Sequence, residues 1–187
     1  MTIYDKGLIR AMKRAYRDDG YDVAVTDNGV LIQSEGWGVE ITAEAVPNSV
    51  KSLIVLHNGG LPDMNRAVHV RKGECAAVIL EIVTGAMEDM EKAYTVTGGS
   101  KIKPTRLTMD GCRVWQTTDR LSVCLVDVED QQILDGHIMD GYLISGAIYG
   151  RNWFGSMYLR TQMVPQEDTH LMEHLSQMQW IPVEVAE

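Results

Sequence analysis

The run Tyr21-Asp22-Val23-Ala24-Val25-Thr26-Asp27-Asn28-Gly29-Val30-Leu31-Ile32-Gln33-Ser34 decides the fold. Apolar, mostly β-branched residues stand on either side of Asp27-Asn28-Gly29, a turn that calls for positive φ. This is the strongest short-range hairpin signal a sequence carries. Glu35-Gly36 makes a second turn, and Val39 and Ile41 alternate with polar partners in a third strand. Upstream, Leu8, Met12, Ala15 and Tyr16 recur at i, i+4, i+7 and i+8, so residues 4–18 read as an amphipathic helix that Gly20 stops.

Downstream the pattern is more varied. Residues 49–57 fit a short helix or a buried strand. Ala67–Arg71 alternates like a strand, with His69 and Arg71 on the wetter face. The spacing of Ala76, Ile79, Leu80, Val83, Met87, Met90 and Tyr94 predicts the clearest helix over residues 75–94, with Ile79, Val83 and Met87 in the core. Leu107-Thr108, Asp110-Gly111 and Cys112–Thr117 repeat the hairpin signal. Arg120–Val128 is apolar on both faces and reads as a central strand. Asp135-Gly136 and Asp140-Gly141 mark a turn-rich loop. Tyr142–Tyr149 and Trp153–Val164 read as two strands, and Pro165 opens a last helix with Glu167 and Asp168 in its first turn.

Helix followed by hairpin-linked strands specifies an α+β fold. We expect an antiparallel sheet packed by about three helices, in a single domain over 1–187. Thr26-Asp27-Asn28-Gly29 and Thr108-Met109-Asp110-Gly111 align at one fixed offset, at which Ile32 meets Val114, Val39 meets Leu121 and Ile41 meets Val123. Duplication of a helix–hairpin unit, with halves 1–73 and 74–187, accounts for this, and so does convergence on hairpin chemistry. The element order is similar to that of small acidic secretion-chaperone-like domains, a likeness of fold that no motif carries.

Composition narrows the function. The chain has 187 residues, 17 basic and 26 acidic, for a net charge of −9. It repels nucleic acid and anionic lipid as a whole. The longest apolar stretch, Cys75–Val83, is broken by Glu81 and falls far short of the roughly 20 residues a bilayer demands. No secretory h-region follows the N-terminus, and Cys75, Cys112 and Cys124 sit in apolar contexts expected of buried, reduced thiols. A cytoplasmic protein with no membrane and no nucleic-acid partner is the reading.

Three constellations are candidates for chemistry. His170-Leu171-Met172-Glu173-His174 fits the His-x-x-Glu-His pattern of inverted zinc peptidases: a helix sets His170 and His174 on one face, with Glu173 beside them as general base. The resemblance covers five residues, and that family's downstream carboxylate ligand has no obvious counterpart in the thirteen residues after His174. Asp127, Glu129, Asp130, Asp135 and Asp140, joined by His137, form an acidic set that reads as a solvated loop. Arg10, Lys13, Arg14 and Arg17 form a basic stripe at i, i+3, i+4 and i+7, suited to an acidic protein surface. No nucleophile elbow, phosphate loop or dinucleotide fingerprint is present, and no motif calls for a cofactor. The expected function is a non-catalytic protein-binding or assembly module acting through Arg10, Lys13, Arg14 and Arg17, on a protein partner or a second copy as a homodimer. The alternative is a metal-dependent hydrolase using His170, Glu173 and His174.

Overall fold

The amphipathic stripe near the N-terminus folds as α1 (Asp5–Arg17), burying Leu8, Ala11, Met12 and Ala15. The computed structural model describes residues 5–79, 85–134, 141–152, 155–164 and 169–177. The three strands expected after α1 follow as β1 (Tyr21–Val25), β2 (Gly29–Gln33) and β3 (Trp37–Thr42). At the first turn only Gly29 takes positive φ, at 156°. Its α-carbon lies so close to the Ile41 carbonyl on β3 that a Cβ would collide with that oxygen. The ambiguous stretch resolves as α2 (Asn48–Asn58), and β4 (Ala67–Val70) returns to pair with β1.

The rest of the chain is β5 (Ala77–Ile79), α3 (Gly85–Thr97), β6 (Ser100–Met109), β7 (Cys112–Thr117), β8 (Val123–Asp127) and the single-turn α4 (Val128–Gln131). Then come β9 (Gly141–Ile144), β10 (Ala147–Asn152), β11 (Gly155–Arg160), β12 (Gln162–Met163) and α5 (Thr169–Ser176). The twelve strands of the described residues join one sheet in the order β12-β8-β7-β6-β9-β10-β11-β3-β2-β1-β4-β5, with antiparallel pairing throughout.

Each face carries its own core. Register lines up Val68, Val23, Ile32, Val39 and Met157 on one face, beneath Leu8 and Met12 of α1 and Val50 and Ile54 of α2. The other face stacks Ala24, Leu31, Tyr149 and Tyr158 under Met87, Met90 and Tyr94 of α3, and packs Val114 and Val123 against Leu175 of α5. Each large apolar side chain so buried is worth about 1.5–3 kcal/mol. Among the described residues no helix is long and apolar enough to cross a membrane.

The α+β antiparallel architecture agrees with the sequence, and several details differ. Five α-helices are present among the described residues where about three were expected. Residues 75–94 are not one helix: Ala77–Ile79 is an edge strand, and the described helix is Gly85–Thr97. The stretch at 75–83 is short and holds β-branched residues, and periodicity cannot separate a strand from a helix in such a run. Met87 does reach the core, while Val78 is 57% exposed; the Ile79 side chain and Val83 lie outside the described residues. β8 is not central, since only the two-residue β12 lies beyond it. Residues 142–149 are two strands, divided at Ser145-Gly146, where both residues have positive φ. Glu167 and Asp168 lie outside the described residues.

The strand order repeats. One half reads β5-β4-β1-β2-β3 and the other β10-β9-β6-β7-β8, with corresponding strands running the same way. The helices do not follow: α1 packs on one face and α3 on the other. A rotation that preserves order and direction preserves the face as well, so the halves are not rigid copies. Ile32 and Ile41 face α1, whereas Val114 and Val123 face α5. The turns differ too, because Asp110 and Gly111 both have positive φ where only Gly29 does in the first.

Candidate functional site

Packing of Leu8, Met12 and Ala15 against the sheet forces the opposite side of α1 outward. Arg10, Lys13 and Arg17 stand exposed there. Arg14 turns sideways to α4, where one guanidinium nitrogen meets Glu129 and the other meets Asp130, with Asp127 at 3.8 Å. Burial alone would lower the Arg14 pKa, but the hydrogen bond to Glu129 and the charges of Asp130, Glu129 and Asp127 outweigh it and hold the group above its ordinary value. Asp130 is pushed above the usual carboxylate range by burial, which the Arg14 guanidinium, opposed by the charges of Asp127 and Glu129, does not offset.

Local sequence explains why these acids gather. Asp127 caps α4, its Oδ1 accepting from the Glu129 amide at 2.7 Å and the Asp130 amide at 3.3 Å. Gly36 leaves the space that the Asp130 carboxylate fills. Ile133 and Leu134, just beyond α4, are buried in the core against α1 and fix the acidic turn in place. Arg10, Arg14, Arg17, Glu129 and Gln132 then enclose a recess of about 180 Å³.

The other flank of α1 meets α2. Tyr16 stacks on His57, and Tyr21 shares a 2.8 Å hydrogen bond with His57 Nδ1. Burial, and then the charge of Lys13, lowers the His57 pKa, while burial raises the Tyr21 phenol. Val55 and Leu56 of α2, and Leu61 and Met64 beyond it, are exposed apolar side chains.

The sequence-predicted stripe is thus split. Arg10, Lys13 and Arg17 form an outward ridge, and Arg14 is a tie within the chain. Reading along the helix missed the acids that meet Arg14, which lie 115 and 116 residues away. The signal for them was Asp127 as a helix cap followed by two acids. His170, Glu173 and His174 are exposed on α5, and among the described residues no group of three or more His, Cys, Asp or Glu is placed to hold a metal. Asp127, Glu129 and Asp130 surround Arg14; Asp135, His137 and Asp140 lie outside the described residues. Cys75 is exposed, contrary to the expectation of three buried thiols. Cys112 is half-buried, and burial pushes the Cys124 thiol up to about 12.

The chain matches no family model, no curated protein and no solved structure.

Proposed function

We propose that this chain is a non-catalytic, cytoplasmic protein-binding or assembly module, and that the ridge of α1 receives an acidic segment of a protein partner. The observation that carries the reading is the contact already made by Arg14: the same helix holds an acid-rich turn of its own chain through Glu129 and Asp130. One turn to either side, Arg10 and Arg17 offer the same chemistry and form no ion pair among the described residues. Val55 and Leu56 expose apolar area on α2, the helix that packs against α1. A second copy is a weaker match, because its own Asp127, Glu129 and Asp130 already surround its Arg14.

The test uses a labelled peptide of residues 126–132, Val-Asp-Val-Glu-Asp-Gln-Gln, as the acidic probe. Fluorescence anisotropy should rise with wild type at low salt, and less at physiological salt. An Arg10→Glu/Arg17→Glu double variant should not bind. Equal binding by wild type and variant, or none by either, overturns the proposal. Sedimentation of the chain alone reads self-association separately.

A further inference from the structure

Register builds a second polar site on the opposite face of the sheet, under α3. Leu31 pairs with Glu40, Glu40 with Ser156, and Ser156 with Arg151, so β2, β3, β11 and β10 set Glu40, Ser156 and Arg151 in one transverse row. Glu91 descends from α3 and meets Arg151 at 2.6 Å, tying the helix to the sheet. The tie leaves a cleft of about 520 Å³, with Asn28 and Thr42 on its rim. This is a volume typical of small-ligand sites.

The charges in the cleft are unequal. Glu40 and Glu91 share it with one guanidinium, which Glu91 already holds, and the charge of Glu88 reaches Glu40 from nearby. Glu88 pairs with Lys92 at 3.6 Å. Glu40 is half-buried, forms no ion pair among the described residues, and accepts only a 3.4 Å hydrogen bond from Thr26. Burial, with the charges of Glu91 and Glu88, raises its pKa. Ser156 is all but buried, and its Oγ accepts from the wholly buried Tyr149, so its own proton remains to be donated. An anion meets a surplus of carboxylates here. Among the described residues no third His, Cys, Asp or Glu is placed to complete a metal site.

We infer that this cleft binds a small organic cation, whose primary ammonium pairs with Glu40 and whose hydrogen-bond acceptor, where it has one, takes the Ser156 proton. The site is independent of the α1 ridge, which lies across the sheet. Putrescine titrated into the full chain, followed by backbone amide NMR shifts, tests it. The expected result is saturable binding, with shifts centred on Asn28, Glu40 and Ser156, and none with butanediol, which has the same length without the charge. Glu40→Gln should weaken putrescine by about tenfold or more while the melting temperature holds. Shifts spread over the whole acidic surface, equal binding of butanediol, unchanged affinity in Glu40→Gln, or no binding at all would each overturn the assignment. Should Glu40→Gln not fold, the wild-type shift map and the butanediol control decide. Nα-acetyl-lysine amide, with its side-chain amine free, offers the same ammonium on a peptide unit, and its binding more tightly than putrescine would reassign the cleft to a lysine side chain.

Discussion

Tyr16 and His57 stack with ring centroids 3.7 Å apart and planes 7° from parallel, joining α1 to the last turn of α2. Tyr21 anchors the same imidazole from β1, so one side chain links three elements on the ridge side of the sheet. Lys13 lies close enough to oppose a second positive charge there.

That geometry sets a pH dependence. Folding lowers the His57 pKa below its ordinary 6.5, so the unfolded chain takes up the proton first as pH falls. The contribution of His57 is whole above the unfolded value and is lost progressively as pH drops through it toward the folded one. Melting temperature should therefore fall between about pH 7 and 5, and His57→Phe, which keeps a ring but cannot titrate, should flatten that slope. An identical slope in the variant would show that other groups govern the acid limb.

Gly38 is held by shape rather than dihedral. The Tyr158 ring occupies the place its Cβ would take, on the face packed by α3. Gly38→Ala should cost about 1–3 kcal/mol through overpacking, read by denaturant unfolding. Pairing it with Tyr158→Leu should recover part of the loss. Strictly additive effects would mean that the two residues do not compete for that volume.

The parts legible in the sequence were those whose signal is local. α1, the first three strands and the Asp110-Gly111 turn each announce themselves within about a dozen residues. The stretch from Cys75 to Tyr94 failed because a strand and a helix each supplied part of one apparent stripe. Ser145-Gly146 is a hairpin turn with little to mark it inside an apolar run. The site was half legible. The cations of α1 are a sequence pattern, but the fate of Arg14 depends on a cap more than a hundred residues away, and the row of Glu40, Ser156 and Arg151 exists only through strand register.

Thiol reactivity should separate the cysteines. Cys75 is exposed on the approach to β5, whereas burial raises the Cys124 thiol to about 12 and also raises Cys112. Since the thiolate is the reactive form, an aromatic disulfide reagent should modify Cys75 quickly in the native protein, and Cys75→Ser should abolish that fast phase. A fast phase that survives the substitution would place Cys112 or Cys124 in solvent.

The hydrolase alternative has its own measurement. His170, Glu173 and His174 stand exposed on α5, and the described residues bring no further ligand to them. Zinc held by two imidazoles and one carboxylate at a solvated helix face should be weak. Purified protein should then carry well under one zinc per chain, and chelator should leave the melting temperature unchanged. Stoichiometric zinc that disappears in His170→Ala would promote the hydrolase reading over the binding one.

Arg14 and Arg10 lie one turn apart on α1 and should behave in opposite ways. Arg14→Ala leaves Asp130, whose side chain is 14% exposed, among Asp127 and Glu129 without its counter-charge. Loss of a charged, partly buried contact of this kind should cost about 1–3 kcal/mol. Asp130→Asn in the same chain should restore part of it, because the carboxylate that lost its partner is gone and the two residues are coupled. Arg10→Glu touches only the exposed ridge and should change stability by no more than about 0.5 kcal/mol, while abolishing most binding of an acidic peptide. A double-mutant cycle by denaturant unfolding measures the first pair, and anisotropy with the 126–132 peptide measures the second. If Arg10→Glu unfolds the chain, the ridge is part of the structural network and the proposed interface falls. If Arg14→Ala is as stable as wild type, the acid turn is held by Ile133 and Leu134 alone, and the contact that served as the template for partner binding carries no energy.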